Sequence, residues 1–176
     1  MVSSVTIPSE ARIQRAWEVL GTVLDPEVPA LSVCELGIVR EIFVTGDKLE
    51  IMLTPTYSGC PATELISCQV LEAIVAAGLD PVGVHLRRSP AWTSDWISAE
   101  GRRKLNEYGI APPGPVPANT DVPLRFNRRP AIQETPLCPR CASNRTVVSS
   151  AFGSTACKAL YRCLSCQEPF EYFKAI

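Results

Sequence analysis

The sequence predicts an α+β protein. A small two-layer α/β domain, a mixed sheet with helices on it, is followed by a separate β ribbon. Between residues 9 and 88, apolar positions recur first at helical spacing and then in alternation, which predicts both helices and strands. Residues 111–137 hold seven prolines and predict a linker. Two Cys-x₂-Cys pairs then mark a ribbon over residues 138–176, which leaves residues 1–110 as the first domain.

The first domain opens with a helix and a hairpin. Residues 9–22 carry apolar side chains on one face, and Ser9 is the expected N-cap. Residues 38–56 alternate apolar and polar side chains on both sides of Gly46, which suits a turn. This alternation predicts two antiparallel strands.

The strongest helix prediction covers residues 61–78. Pro61 suits its first turn, and Gly78 suits the position after its last turn. Apolar side chains occupy most of its circumference, so we expect this helix to be buried against the sheet. A third strand over residues 82–88 and a further helix over residues 94–110 complete the domain.

Charge is unevenly distributed along the 176 residues, although the net charge is only −1. Residues 1–86 contain 4 Lys or Arg and 11 Asp or Glu, whereas residues 87–145 contain 10 and 5. Nucleic-acid affinity depends on a summed set of phosphate contacts, and this dipolar pattern offers no uniform basic face. It favours docking to another protein, so we expect no nucleic-acid partner.

The cellular compartment follows from what the sequence lacks. No stretch approaches the roughly 20 apolar residues of a membrane span, and the N-terminus does not have the pattern of a signal peptide. We expect a cytoplasmic protein that does not contact membranes. Reduced thiols are then the rule, so the eight cysteines need an explanation other than disulfides.

Four of these cysteines form a metal-ligand pattern. Cys138 and Cys141 make one Cys-x₂-Cys pair, Cys163 and Cys166 make the other, and 21 residues separate the pairs. Each pair can turn two sulfurs toward one ion, and two pairs complete a tetrahedron. A tail of about 40 residues cannot build a sufficient core alone, so one zinc per chain is expected to staple a zinc ribbon. Its strands are predicted over Thr146–Ser150, Leu160–Arg162 and Phe170–Phe173.

Two questions about the ribbon stay open at this point. Four thiolates also ligate iron–sulfur clusters, so such a cluster is the alternative occupant. Cys157 lies six residues before Cys163 and is a spare thiol, a redox-active sulfur or a replacement ligand.

Cys60 is the candidate reactive residue of the first domain. It connects a predicted strand to the apolar helix and directly precedes Pro61. Free N–H groups and the helix dipole at such a junction favour a thiolate. The thiol would then serve as a nucleophile, a redox group or a metal ligand; an ordinary half-buried residue is the alternative.

The first domain resembles the small α/β domain of iron–sulfur cluster maturation factors of the SUF and cytosolic targeting systems. The resemblance covers roughly residues 9–110. It rests on Asp25-Pro26-Glu27, Glu35-Leu36-Gly37-Ile38-Val39, Thr54-Pro55-Thr56 and Gly59-Cys60-Pro61. With SPAWTSDWIS at residues 89–98 and the cysteine ribbon, the whole chain resembles the D-subunit family encoded with bacterial phenylacetyl-CoA epoxidase.

The resemblance implies a non-catalytic maturation factor for iron–sulfur or di-iron centres in aerobic phenylacetate breakdown. Cys60 would be its reactive or cluster-binding thiol, and Asp25 and Glu27 would be loop residues near that thiol. The implied partners are the other components of the epoxidase and iron–sulfur proteins. A second copy of the chain is also expected, because one cysteine per chain is too few for a complete cluster site. The rival hypothesis is an electron-transfer protein with an iron–sulfur cluster in the ribbon.

Overall fold

The computed structural model describes residues 8–57, 59–116 and 135–176. The chain divides into two compact units. Unit 1 runs to Trp92 and includes Trp96–Gly101; unit 2 comprises Thr93–Asp95 and Arg102–Ile176. Helices and mixed sheets confirm the α+β class. None of the helices in the described part of the chain has both the length and the apolar character that a bilayer crossing requires.

Unit 1 is built on a three-stranded mixed sheet of order β1-β2-β3. β1 (Val39–Thr45) and β2 (Lys48–Leu53) form the predicted antiparallel hairpin, and β3 (Val82–Leu86) lies parallel to β2. Gly46 has a φ of +64° in the hairpin turn, a conformation that glycine adopts without steric cost. The sheet prediction is therefore confirmed.

Two helices supply the apolar side chains of the unit 1 core. α1 (Ser9–Leu20) buries Ala16 and Leu20, and α2 (Thr63–Ala76) buries Ile66, Val70 and Ile74. Alternate side chains of β2 are likewise buried, as expected of a strand with one covered face. Pro8 takes the N-cap position of α1 in place of the predicted Ser9.

α2 differs from its prediction in two respects. It begins at Thr63, two residues later than expected, with Ala62 as its N-cap. More importantly, only one face is buried: Leu65, Leu71 and Val75 are 50%, 40% and 48% exposed. The expected burial is therefore present on one face of the helix and does not extend to the outer face, because composition does not reveal how many sides of a helix have neighbours.

Two segments on which the family resemblance rests contact each other in unit 1. The indole Nε1 of Trp92 donates a hydrogen bond of 2.9 Å to the carbonyl of Leu36. The backbone N–H of Ser98 donates one of 2.9 Å to the carbonyl of Glu35. The Glu35-Leu36-Gly37 turn thus holds the chain that follows β3.

The helix predicted over residues 94–110 is shorter than expected. A single 3-10 turn, Ser94–Trp96, precedes α3 (Ala99–Tyr108). The hydroxyl of Ser98 accepts a hydrogen bond of 2.9 Å from the backbone N–H of Gly101, which is an N-terminal capping contact.

Unit 2 carries a four-stranded sheet of order β4-β7-β6-β5. The three predicted ribbon strands are present as β5 (Thr146–Ser150), β6 (Lys158–Cys163) and β7 (Pro169–Phe173), and β6 lies antiparallel to both β5 and β7. The sequence analysis did not predict β4 (Ile110–Ala111), which pairs in parallel with β7.

The division of the chain consequently differs from the predicted boundary at residue 110. Residues 102–110, assigned to the first domain from sequence, lie in unit 2, because β4 adds a strand to the ribbon sheet. Residues 117–134 make up most of the predicted linker and lie outside the described residues.

Candidate functional site

The four ribbon cysteines converge in the structure. Their sulfur atoms all lie within 4.8 Å of one another. The Sγ atoms of Cys138 and Cys166 are 3.7 Å apart, and those of Cys141 and Cys163 are 3.6 Å apart. Zinc–sulfur bonds of about 2.3 Å in a tetrahedron place sulfurs roughly 3.8 Å from one another. The arrangement therefore fits one tetrahedral metal ion.

Both cysteine pairs turn back in the same way. The residue after each pair has a positive φ, +57° at Ala142 and +67° at Gln167. Non-glycine residues seldom adopt this conformation, and here it recurs at the equivalent position of each pair. The repeated turn brings the two sulfurs of each pair to one side of the backbone.

Backbone dipoles prepare Cys163 to act as a thiolate. The N–H groups of Ser165 and Cys166 point at its sulfur, at 3.3 and 3.5 Å. The N–H of Cys166 is the largest cause of a pKa that is lowered to about 6. The N–H of Ser165 and the side chains of Cys166 and Cys141 act in the same direction, while burial opposes them. A lowered pKa suits a metal ligand, because metals bind the thiolate form.

A small apolar core supports the metal-ligand group. The ring of Tyr161 stacks on Phe170 with centroids 5.9 Å apart and meets Tyr172 edge-on at 5.5 Å. Cys138 and Cys163 are buried in the same cluster. The aromatic rings therefore belong to the same apolar core as two of the four ligands.

Cys157 does not belong to the group of four sulfurs. It is buried, and its sulfur lies 3.0 Å from the hydroxyl of Thr155. All eight cysteines are free thiols in the structure. A redox role for Cys157 stays a prediction.

The second candidate site surrounds Cys60 in unit 1. Cys60 lies in the turn before α2 and is partly exposed. The backbone N–H and the hydroxyl of Thr63 both donate to its carbonyl, at 3.2 and 2.9 Å. These bonds fix the turn that presents the thiol.

The environment of Cys60 disfavours the thiolate, contrary to expectation. Burial is the largest cause of its raised pKa, and the negative charge of Glu27 acts in the same direction. The backbone N–H of Ala62 opposes them without reversing the shift. Because α2 begins only at Thr63, Cys60 does not directly precede the helix, as the thiolate expectation required.

Asp25 organises the loop that carries Glu27. The buried carboxylate of Asp25 accepts hydrogen bonds from the backbone N–H groups of Glu27 and Val28, at 2.9 and 2.8 Å. Asp25 therefore shapes the loop, while Glu27 acts electrostatically on Cys60. Asp25 and Glu27 thus have different physical roles in the structure.

Sequence reasoning missed two hydroxyl groups beside the thiol. Tyr57 and Thr63 each hydrogen-bond to Cys60 through their side chains and partly oppose the rise of its pKa. Both residues lie three positions from Cys60 in the sequence, and a turn brings residues at this spacing together. This spacing could have predicted the two contacts.

Comparison with known proteins matches both parts of the chain. Residues 13–85 match a family model described as an iron-sulfur cluster assembly protein, and residues 126–174 match one described as the PaaD zinc beta ribbon domain. A protein of Escherichia coli (strain K12), provisionally named as the D subunit of 1,2-phenylacetyl-CoA epoxidase, is 46% identical over 165 residues. That alignment covers 94% of each chain.

A solved structure supports the fold of unit 1. The crystal structure of a domain of unknown function, DUF59, from Bacillus anthracis superposes with a TM-score of 0.52 at 23% identity. It covers 55% of this chain and 93% of the domain. At this identity the likeness shows the fold alone.

Proposed function

The chain belongs to the D-subunit family of 1,2-phenylacetyl-CoA epoxidase, and on that basis we propose that it is a non-catalytic maturation factor. Its clients would be the iron–sulfur or di-iron centres of the epoxidase system in aerobic phenylacetate catabolism. Cys60 would hold iron or a cluster transiently and pass it to a partner.

The observation that carries this proposal is the incomplete donor set around Cys60. The carboxylate of Glu27, from the loop after α1, acts on the thiol of Cys60 in the turn before α2. Within residues 8–57, 59–116 and 135–176, only the ribbon cysteines form a group of three or more potential ligands. A cluster needs more thiolates than Cys60 alone offers, so the missing ligands would come from a partner or a second copy. Incomplete ligation suits transfer better than storage.

The ribbon has a different role in this proposal. A four-thiolate site leaves no open position for substrate, so its metal would be structural. An iron–sulfur cluster distributes its four thiolates over two or more iron atoms, so thiolates on different irons lie farther apart than four thiolates on one ion. Sulfurs that all lie within 4.8 Å support zinc over a cluster.

The test is metal analysis of protein purified without oxygen and then exposed to ferrous iron and sulfide. Wild type should contain one zinc per chain, lost in Cys138→Ser but retained in Cys60→Ser. Iron should bind to wild type and not to Cys60→Ser. Cys68→Ser is the matched control, since Cys68 is an exposed thiol of the same unit, and it should behave as wild type.

The opposite pattern would support the electron-transfer alternative. Iron and visible absorbance that disappear in Cys138→Ser, with Cys60→Ser unchanged, would place a cluster in the ribbon. The maturation proposal would then be abandoned.

A further inference from the structure

α2 is apolar on more sides than unit 1 covers. Its sequence, TELISCQVLEAIVA, contains apolar residues around the whole helix, a composition typical of helices buried on all sides. The core covers only the face of Ile66, Val70 and Ile74. Leu65, Cys68, Leu71 and Val75 are exposed on other faces. A contiguous exposed apolar row of this kind marks an interaction surface.

A groove runs along one side of this row. It is a shallow, open depression of about 430 Å³ between α2 and the chain that follows α1. Leu24, in its wall, is 49% exposed. The 14 residues of α2 extend about 21 Å, a length that suits a partner helix of about four turns. The groove is lined by Val23, Leu24, Gln69, Glu72, Ala73 and Ala76.

Charge identifies the kind of partner. α2 contains Glu64 and Glu72 and no Lys or Arg. Residues 1–86 as a whole hold 11 acidic and 4 basic side chains. A second copy would set these acidic helices against each other, which opposes association, whereas a basic segment would be attracted. We propose that the outer face of α2 and its groove bind an amphipathic helix of a partner protein, with Lys or Arg beside its apolar row.

The position of this surface connects it with Cys60. α2 begins three residues after Cys60, and Leu65 lies in its first turn. A helix docked on α2 would therefore lie next to the thiol. The binding surface itself does not depend on the proposed function. Only its role, which is to bring a client protein to Cys60, rests on that function.

The experiment selects 16-residue peptides from a random phage-displayed library on the immobilised, zinc-loaded full-length protein. The enriched peptides should show apolar residues at spacings of three and four, flanked by Lys or Arg. One enriched peptide is then titrated by fluorescence anisotropy against variants. Glu72→Lys and Val75→Ser should each weaken binding about three- to tenfold. Glu10→Lys, an exposed acid on α1, and Phe43→Ser, an exposed apolar residue on β1, are the matched controls and should leave affinity unchanged.

Several results would overturn the inference. The selection could enrich no peptides, or it could enrich acidic or proline-rich peptides. The selected peptide could also bind Glu72→Lys as tightly as wild type. A dimer in sedimentation that dissociates on Val75→Ser would assign the surface to a second copy instead. Cys60→Ser should bind the peptide as wild type does. The two proposals can therefore be tested separately. Peptide binding can be observed even if Cys60 binds no iron, and Glu72→Lys can bind iron even if it does not bind the peptide.

Discussion

Gly37 packs directly against Trp96. A Cβ atom on Gly37 would stand 2.6 Å from the carbonyl oxygen of Trp96 and 2.7 Å from its Cβ. Gly37 also has a φ of +69°, which L-residues rarely adopt. The turn that accepts hydrogen bonds from Trp92 and Ser98 thus depends on a residue without a side chain. Trp96 in turn supports the guanidinium of Arg40, 3.7 Å from the ring centroid.

Gly37→Ala should destabilise unit 1 by about 3 kcal/mol or more. The methyl group meets backbone atoms that cannot move independently, and the positive φ adds a cost of about 1 kcal/mol. Urea denaturation followed by tryptophan fluorescence measures the change. Gly46→Ala is the control, because Gly46 has a φ of +64° and nothing within 4 Å of a built Cβ. It should cost only about 1 kcal/mol. Equal losses for the two variants would mean that the contact with Trp96 is unimportant.

Replacing Asp25 should loosen the loop that carries Glu27. Asp25→Ala removes the acceptor of two backbone N–H groups and should cost about 2 kcal/mol of unfolding free energy. Asp25→Asn keeps a side-chain oxygen and should cost about half as much. Urea midpoints of the three proteins test this ranking. If Asp25→Asn is as damaging as Asp25→Ala, the negative charge matters more than the hydrogen bonds.

Much of the architecture could be predicted from sequence because it depends on local pattern. Alternation around Gly46 predicted β1 and β2, and the two Cys-x₂-Cys pairs predicted the ribbon. β4 could not be found in this way, since two residues, Ile110 and Ala111, give no periodic signal. Their partner strand, β7, lies about 60 residues further along the chain.

The site shows the same division between local and tertiary information. Spacing alone predicted which four sulfurs would meet in the ribbon. The ionisation of Cys60 was predicted in the wrong direction, because its largest cause is burial and the charge that adds to it comes from Glu27, 33 positions earlier in the sequence. The exposed outer face of α2 was missed for the same reason: sequence records apolar residues but not their neighbours.

Glu171 neutralises a buried ammonium group in unit 2. The Nζ of Lys158, whose side chain is 3% exposed, lies 2.9 Å from a carboxylate oxygen of Glu171. Removing one partner of a fully buried pair costs about 3–5 kcal/mol, and the partial exposure of Glu171 reduces this to about 1–3 kcal/mol. Glu171→Gln should therefore lower protection from hydrogen exchange in β6 and β7. The exposed Glu168→Gln is the control and should leave the exchange rates unchanged.

The effect of Glu171 should also depend on pH. Burial alone would raise the pKa of its carboxyl, but the backbone N–H of Ser154 and the ammonium of Lys158 hold the pKa below the ordinary value of 4.5. A depressed pKa contributes stability above 4.5 that is lost as pH falls through the folded-state value. With zinc in excess, the stability gap between wild type and Glu171→Gln should be constant from pH 7 to 5 and shrink below 4.5. A gap that widens on acidification would contradict this assignment.

Glu27→Gln should make Cys60 more reactive. The charge of Glu27 raises the pKa of the thiol, so its removal lowers that pKa and increases the thiolate fraction at neutral pH. Alkylation by iodoacetamide, followed at the Cys60 peptide by mass spectrometry, should accelerate about two- to fivefold at pH 7.5. The pH at which the alkylation rate is half-maximal should also fall. Glu64→Gln is the control, because Glu64 is an exposed acid on α2 that does not contribute to the raised pKa of Cys60. It should leave the alkylation rate unchanged. Slower alkylation in Glu27→Gln would instead mean that Glu27 holds the thiol in an accessible position, and its electrostatic role would be rejected.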